Sequence, residues 1–383
     1  MQKTTNHIHL IIILAVLSSV APMAIDTYLP SIPNIAYDLG VSIEKIELSL
    51  SIFLIGFSIG QIFGGPLSDK LGRRKSSIFG LLGFALFSFL ITFSTHIYEL
   101  WFYRFIEAIF GGIVIVNATA AIRDRFHGQE AAKVFSLLGT IRALAPMLAP
   151  AIGAFIIHFY SWKAVFLFLS FYALIVAFWV YKKLEESFTY NEQTIKESFK
   201  LVLKNKMAVK AMLVLSLSFS GFFIFIAKSS FIFIEHFNIS TDYFPFFFGF
   251  NFILLIIMTR LNILFLKKYT TVLLIKIALA IQVLAGVIFI INYDHLTLIT
   301  IMIIMGGYMS MMAFIFGNGL TLALENFPNN AGVASSVAGV LQFGLGAIIS
   351  SFALSFHNET FLPIAISVTI LSSICYLIMR SYK

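Results

Sequence analysis

GPLSDKLGRRK, from Gly65 to Lys75, is a short basic turn set between two apolar runs at about 44 to 66 and 76 to 95. Each run is long enough to cross a hydrocarbon core, which takes about 20 residues in a helix. The same alternation extends through the chain, with further apolar runs at about 8 to 29, 98 to 121, 131 to 158, 162 to 182, 208 to 234, 242 to 266, 270 to 291, 296 to 323, 330 to 355 and 361 to 379. The 383 residues are 59% hydrophobic and 11% charged, with a mean hydropathy of +0.94. A soluble domain carries roughly 25% charged residues, so a water-soluble protein is excluded. The runs are continuous rather than alternating, which excludes an outer-membrane barrel and leaves helices as the way to span. The expected fold is therefore an all-α polytopic membrane protein of twelve transmembrane helices. Lys3 and the apolar run to Ala24 resemble a secretory signal, but the run continues through Asp26 to Pro30 and reads as the first membrane helix. The single cysteine, Cys375, forms no intramolecular disulfide and belongs to no metal-ligand spacing, so neither a metal nor a cofactor is expected.

Basic residues near span ends are retained on the cytoplasmic side. The turns after spans 2, 4, 6 and 8 hold Lys70, Arg73, Arg74 and Lys75, then Arg123, Arg125 and Lys133, then Lys182, Lys183 and Lys196 to Lys210, then Lys267 and Lys268. The opposite side has Lys45 and Lys163 among mostly acidic residues, so both termini are expected in the cytoplasm. The net charge of +8 is thus mainly topology, and no nucleic-acid partner is expected. The polar stretch near 183 to 207 separates an N-terminal six-helix half, 1–183, from a C-terminal six-helix half, 208–383, through a cytoplasmic linker, 184–207. Within the linker, Ile195, Phe199, Val202 and Leu203 share one helical face, which suits a helix lying on the inner membrane surface. Two such halves are expected to rock about a site at mid-membrane.

The turn resembles the signature between helices 2 and 3 of the major facilitator superfamily, G-x-L-[AS]-D-[RK]-x-G-R-[RK]. It matches at Gly65, Leu67, Ser68, Asp69, Lys70, Gly72, Arg73 and Arg74. A generic basic turn needs Lys and Arg but not the glycines and the aspartate at these intervals, so a conformational latch is the favoured role. RFIEAIFGG, Arg104 to Gly112, resembles the family pattern R-x-x-Q-G-x-G with Glu107 and Ala108 in place of Gln and Gly. Arg104 and Glu107 are three apart on one helical face, so they can pair, either as a neutral structural unit or as part of a functional cavity. ALAPMLAPAIGA, Ala143 to Ala154, is similar to the superfamily's antiporter motif, and its Pro146 and Pro150 bend the fifth span ahead of Gly153. Together with AIDTYLPSIPNIA (24 to 36), IRDRF (122 to 126), FIFIEHFNIS (231 to 240) and AGVASSVAGVLQFGLGAIISS (331 to 351), these segments resemble the Bcr/CflA drug-resistance transporters. The resemblance implies a proton-driven efflux carrier of the bacterial inner membrane.

Asp26 is the principal candidate for proton coupling. It sits near the outer third of span 1, four residues after Pro22 and four before Pro30, where a carboxyl can carry a proton in one conformation and hold a substrate in another. An interfacial cap is its structural alternative. Lys228 in span 7 and Arg142 in span 5 depart from the family's common pattern, and both can either face the cavity or snorkel to an interface. If they face it, an anionic or zwitterionic substrate fits better than a lipophilic cation. Asn117, Asn251, Gln282, Asn318 and Gln342 are further cavity candidates, with interhelical hydrogen bonding as their ordinary role. Gly56-Phe57-Ser58-Ile59-Gly60 spells the hydrolase elbow G-x-S-x-G, but it lies inside an apolar helix, where Gly56, Gly60 and Gly64 form a close-packing face. No Walker sequence is present, so ATP is not the direct energy source and no enzyme is expected. The reading is a drug/proton antiporter acting as a monomer in the lipid bilayer on a small-molecule substrate. Proton symport importing a metabolite or siderophore is the alternative, and a non-transporting receptor is a more distant one.

Overall fold

The computed structural model describes residues 2–125, 128–186, 200, 202–325, 327, 331–356 and 360–382, with the side chains of 2–11, 122, 123, 128–143, 331–333 and 336 left aside. The chain forms two compact units, Met1–Gln193 and Thr194–Lys383. In the first, α1 (Gln2–Asp26) leads through a 3-10 turn, Leu29–Ser31, into α2 (Ile32–Leu39). There follow α3 (Ile43–Leu71), α4 (Arg73–Ile91), α5 (Ile97–Arg125), α6 (Gly128–Phe159) and α7 (Lys163–Lys183). In the second, α8 (Lys206–Ser230) runs into a wide π-helical turn, Phe231–His236. Then come α9 (Phe244–Phe265), α10 (Thr271–Asn292), α11 (Leu298–Ser310) with α12 (Met312–Glu325), α13 (Ala331–Ser355) and α14 (Leu362–Arg380).

Among the described residues, eleven helical segments are long and apolar enough to cross a membrane. The twelfth span is α6, whose described part carries the apolar stretch Leu144–Phe159. Each expected apolar run corresponds to one span, six in each unit. The linker expected at 184–207 lies mostly outside the described residues, including most of its amphipathic segment.

One boundary is corrected. The first apolar segment does not end near residue 29 but continues through the turn to Leu39. The α-helix stops at Asp26, and the chain turns through Thr27 and Tyr28 before resuming. Pro30 and Pro33 lack the amide hydrogens that a continuous helix would use, so the sequence favours a break here. Trp162 at the head of α7 fixes the far end of the span by donating Nε1–H to Asp38 Oδ2 at 2.8 Å.

Helices α3 and α5 pack closely because glycines line their contact. A Cβ at Gly56 would collide with the Phe105 carbonyl, one at Gly60 with the Ile109 carbonyl, and one at Gly112 with the Phe57 carbonyl. The Gly56 to Gly60 pentapeptide is continuous helix, so the hydrolase spelling has no strand-turn-helix geometry behind it. In the second unit α8 is the central helix, packing on α12, α13 and α14. The span made of α11 and α12 is interrupted at Met311. Gln282 of α10 enters that interruption, donating Nε2–H to the Tyr308 carbonyl at 3.0 Å. That carbonyl would otherwise accept from the amide of residue 312, so an inserted side chain accounts for the break without proline.

Replacing Gly60 with leucine should force α3 from α5 and lower stability by about 1–3 kcal/mol or abolish folding. Gly249→Ala, where an added Cβ meets nothing within 4 Å, should leave the melting temperature of the detergent-purified protein unchanged.

Candidate functional site: buried charges around the broken first span

Asp26 is 3% exposed and ends α1. Among the described residues no group donates a hydrogen bond to it. Thr27, beside it, is fully buried, and its Oγ1 has no hydrogen-bond partner among the described residues. Several hydrogen bonds flank the break. The Thr27 amide bonds the Met23 carbonyl at 3.2 Å, Ser31 Oγ donates to the Tyr28 carbonyl at 2.6 Å, and the Tyr28 hydroxyl shares a hydrogen with Ser49 Oγ at 2.9 Å.

Helix α6 lies on the break. Gly153 faces the Thr27 carbonyl so closely that any Cβ there would strike it. Pro146, Pro150 and Gly153 recur at helical spacing, and Pro150 and Gly153 are buried. The antiporter-like segment is thus brought against the residue after Asp26. The side chain of Arg142, three turns earlier, lies outside the described ones.

Arg104 reaches the same place from α5. Its Nη1 donates to Glu107 Oε2 at 2.8 Å and to the Ala24 carbonyl, two residues before Asp26, at 3.3 Å. Both partners of this pair are fully buried. The guanidinium lies over Phe53 (4.4 Å), Tyr28 (4.9 Å) and Phe166 (5.7 Å), faces that favour a cation. Glu107 receives a second hydrogen bond, from Ser88 Oγ at 2.5 Å. Its Oε1 and Oε2 are therefore both used, and the pair expected from the i, i+3 spacing is present.

Sequence reading missed Glu47 of α3, which is fully buried and within electrostatic reach of Tyr28. Its signal was available: Ile43, Ile46, Leu50 and Leu54 place Glu47 on an apolar helical face.

The basic turn forms a second cluster. Asp69 accepts from Arg73 Nη1 at 2.7 Å, and Arg73 Nε donates to Asp124 Oδ2 of α5 at 2.9 Å. Arg73 Nη1 also donates to Ser68 Oγ at 2.5 Å, so one guanidinium ties α3, α4 and α5 together. Gly72 has φ +88°, a backbone state that suits glycine, and a Cβ there would strike the Glu186 carboxylate. Glu186 caps α4 by accepting from the Arg74 amide at 2.9 Å, while the Arg74 guanidinium lies 4.9 Å over Tyr181. Lys70 is exposed and Gly65 is half-buried with open space beside it. Asp124 and Glu186 were not singled out from the sequence, because only the fold brings them to the turn.

The remaining candidates are dispersed. Asn117 is buried and donates Nδ2–H to Ser76 Oγ at 2.9 Å. Asn251 is buried in α9 and donates to the Phe247 carbonyl of its own helix at 3.1 Å. Asn318 and Asn262 exchange amide hydrogen bonds at 3.0 and 3.4 Å. Gln342 is half-buried in α13. Lys228 is 2% exposed, with its ammonium 5.2 Å from the Phe231 ring, so it does not snorkel outward.

The helices of the first unit thus hold a fully buried ion pair, Arg104–Glu107, and an ion-paired cluster at the turn after α3. The model for the Major Facilitator Superfamily matches residues 14–351. The "Bicyclomycin resistance protein homolog" of Haemophilus influenzae is 31% identical over 97% of this chain and 96% of its own length. The "Multidrug resistance protein MdtL" of Vibrio parahaemolyticus is 27% identical over 92% of this chain and 90% of its own. Among solved structures, a crystal structure of a D-xylose-proton symporter superposes with a TM-score of 0.76 at 18% identity, covering 97% of each chain, a likeness of fold alone. The chain belongs to the major facilitator superfamily, and its relatives include drug-resistance transporters.

Glu107→Gln or Glu107→Ala leaves a buried guanidinium short of its counter-charge, an effect worth about 3–5 kcal/mol for the alanine change. The double replacement Arg104→Met with Glu107→Leu should cost less than Arg104→Met or Glu107→Leu alone. Thermal unfolding of the four proteins as a double-mutant cycle reads the coupling.

Proposed function

We propose that this protein is a proton-coupled antiporter of the bacterial inner membrane, with both termini cytoplasmic, that exports small molecules by alternating access. The carrying observation is Asp26, a buried carboxyl at a helix break within the first apolar segment, with no hydrogen-bond partner among the described residues. Burial without a donor favours the neutral carboxylic acid, and solvation or a cationic neighbour favours the carboxylate. A residue that moves between two such surroundings takes up a proton from one side and releases it to the other.

Each group around the break has a role in this account. Arg104, fixed by Glu107 and by the aromatic faces, supplies positive potential beside α1 without facing lipid. Gly153 and the two prolines let α6 cover the break. Asp69, Arg73 and Asp124 act as a latch whose ion pairs form in one conformation and part in another. The names of the relatives support export of antibiotics or similar molecules, and Lys228 supports substrates carrying an acidic or polar group. The protein acts as a monomer in this reading.

In inverted vesicles with an imposed proton gradient and a pH-sensitive dye, bicyclomycin and a panel of cationic, neutral and anionic compounds should release protons through the wild type. Asp26→Asn should insert normally and release none; full activity in that variant would remove Asp26 from coupling, and proton movement in the same direction as the compound would indicate symport. Asp69→Ala should keep near-normal substrate binding while transport slows, and an unchanged rate would return the turn to a purely structural role.

A further inference from the structure

Helix α4 starts without a cap of its own. The first amides of a helix have no intrahelical acceptor, and a Ser, Thr, Asp or Asn at the N-cap ordinarily supplies one. Here the N-cap is Gly72, at φ +88°, which has no side chain to offer. Glu186, beyond the end of α7, supplies the acceptor instead, taking the Arg74 amide on Oε1 at 2.9 Å and the Lys75 amide on Oε2 at 3.4 Å. The backbone dipole also favours a carboxylate at this end of a helix. The carboxylate fills the space that a side chain at residue 72 would need, so the glycine is required by its partner as well as by its own backbone.

Glu186 is held in place by a strap of further contacts. Helix α7 ends at Lys183, and Leu184 leaves it in an extended conformation with its side chain buried. The Arg74 guanidinium lies over the Tyr181 ring and donates to the Tyr181 carbonyl. Arg125, at the end of α5, donates Nη2–H to the Glu185 carbonyl. The residue before it, Asp124, accepts from Arg73 Nε at 2.9 Å. Two adjacent residues of the IRDRF segment thus hold both the Arg73 guanidinium and the stretch of chain that carries Glu186. Arg73 is the first residue of α4, one position before the amide that Glu186 caps, so the cap fixes the point from which the Arg73 side chain sets out toward Asp69 and Asp124.

We propose that Glu186 is a positioning residue of the latch: by capping α4 it holds Arg73 between Asp69 and Asp124, and it ties the end of span 6 to the turn after span 2. This deepens the latch role given to Asp69, Arg73 and Asp124 and rests on that reading. The signature of the turn then has a further member, a carboxylate that lies outside its own stretch of sequence.

The test uses the purified full-length protein with isotope-labelled arginine, in which the Nε–H of Arg73 is an NMR signal identified by its loss in Arg73→Lys. Glu186→Ala should shift that signal toward an unpaired guanidinium, as Asp124→Asn does, and Glu186→Gln, which keeps one capping oxygen, should shift it less. In the vesicle assay Glu186→Ala should slow transport about fivefold, the weight of one helix cap, with compound binding unchanged. Glu186→Ala combined with Asp69→Ala should be no slower than Asp69→Ala alone, because both changes release the same guanidinium. An Arg73 signal untouched by Glu186→Ala would overturn the proposal. Rate losses that multiply in the double variant would overturn it too, since Glu186 would then be a helix cap acting on its own. A shifted Arg73 signal beside wild-type transport in Asp69→Ala places the fault in the latch reading rather than in the positioning of Arg73.

Discussion

Lipid offers no partner to a backbone carbonyl or amide, so a membrane helix that stops in mid-span must be supported from within the protein. The break after Asp26 is such a place, and much of the first unit is arranged around it. Arg104 donates to the Ala24 carbonyl before the break, Tyr28 and Ser31 fasten the turn after it, and Gly153 allows α6 to seat on the Thr27 carbonyl. The glycines between α3 and α5 keep the helix that carries Arg104 close to the helix that carries Glu47 and Ser49. Remove the break and these polar groups lose their common purpose.

The two units solve the problem of buried polarity differently. The first buries charges: Asp26, Glu47, Arg104 and Glu107 between helices, and Arg73 at the turn. The second, among the described residues, buries mostly amides and hydroxyls, with Lys228 as its buried charge. Its interrupted span is held by Gln282, its Asn262–Asn318 pair links α9 to α12, and Tyr308 meets Ser372 at 3.0 Å. Charged pairs respond to protons and to approaching ions, whereas reciprocal amides do not titrate. The ion-sensitive part of the account therefore lies in the first unit, and the same unit carries the Asp69–Arg73–Asp124 ion pairs.

Hydropathy made the spans legible because each run must cover a fixed thickness of hydrocarbon, and the i, i+3 spacing gave the Arg104–Glu107 pair directly. Burial of Asp26 was also readable from its apolar surroundings. The break beside it was not, because the apolar count does not register that a helix has stopped and resumed, although Pro30 and Pro33 mark the site. Glu47 follows Glu44 and Lys45, which read as an exposed helix start, although its spacing from Ile43, Leu50 and Leu54 turns it inward. Asp124 and Glu186 join the turn from distant positions, and the Gln282 contact with Tyr308 spans 26 residues. Such pairings depend on how helices lie beside one another, which residue spacing within one helix does not encode.

The central claim is that Asp26 is a carboxyl that gains and loses a proton inside the membrane. Infrared difference spectroscopy of the purified protein in lipid, titrated through pH and with bound compound, observes the protonated carboxyl band itself. The account predicts a band that disappears on alkalinisation or compound binding and is missing from Asp26→Asn. The same band changes in Asp26→Asn, or no such change in the wild type, would contradict it.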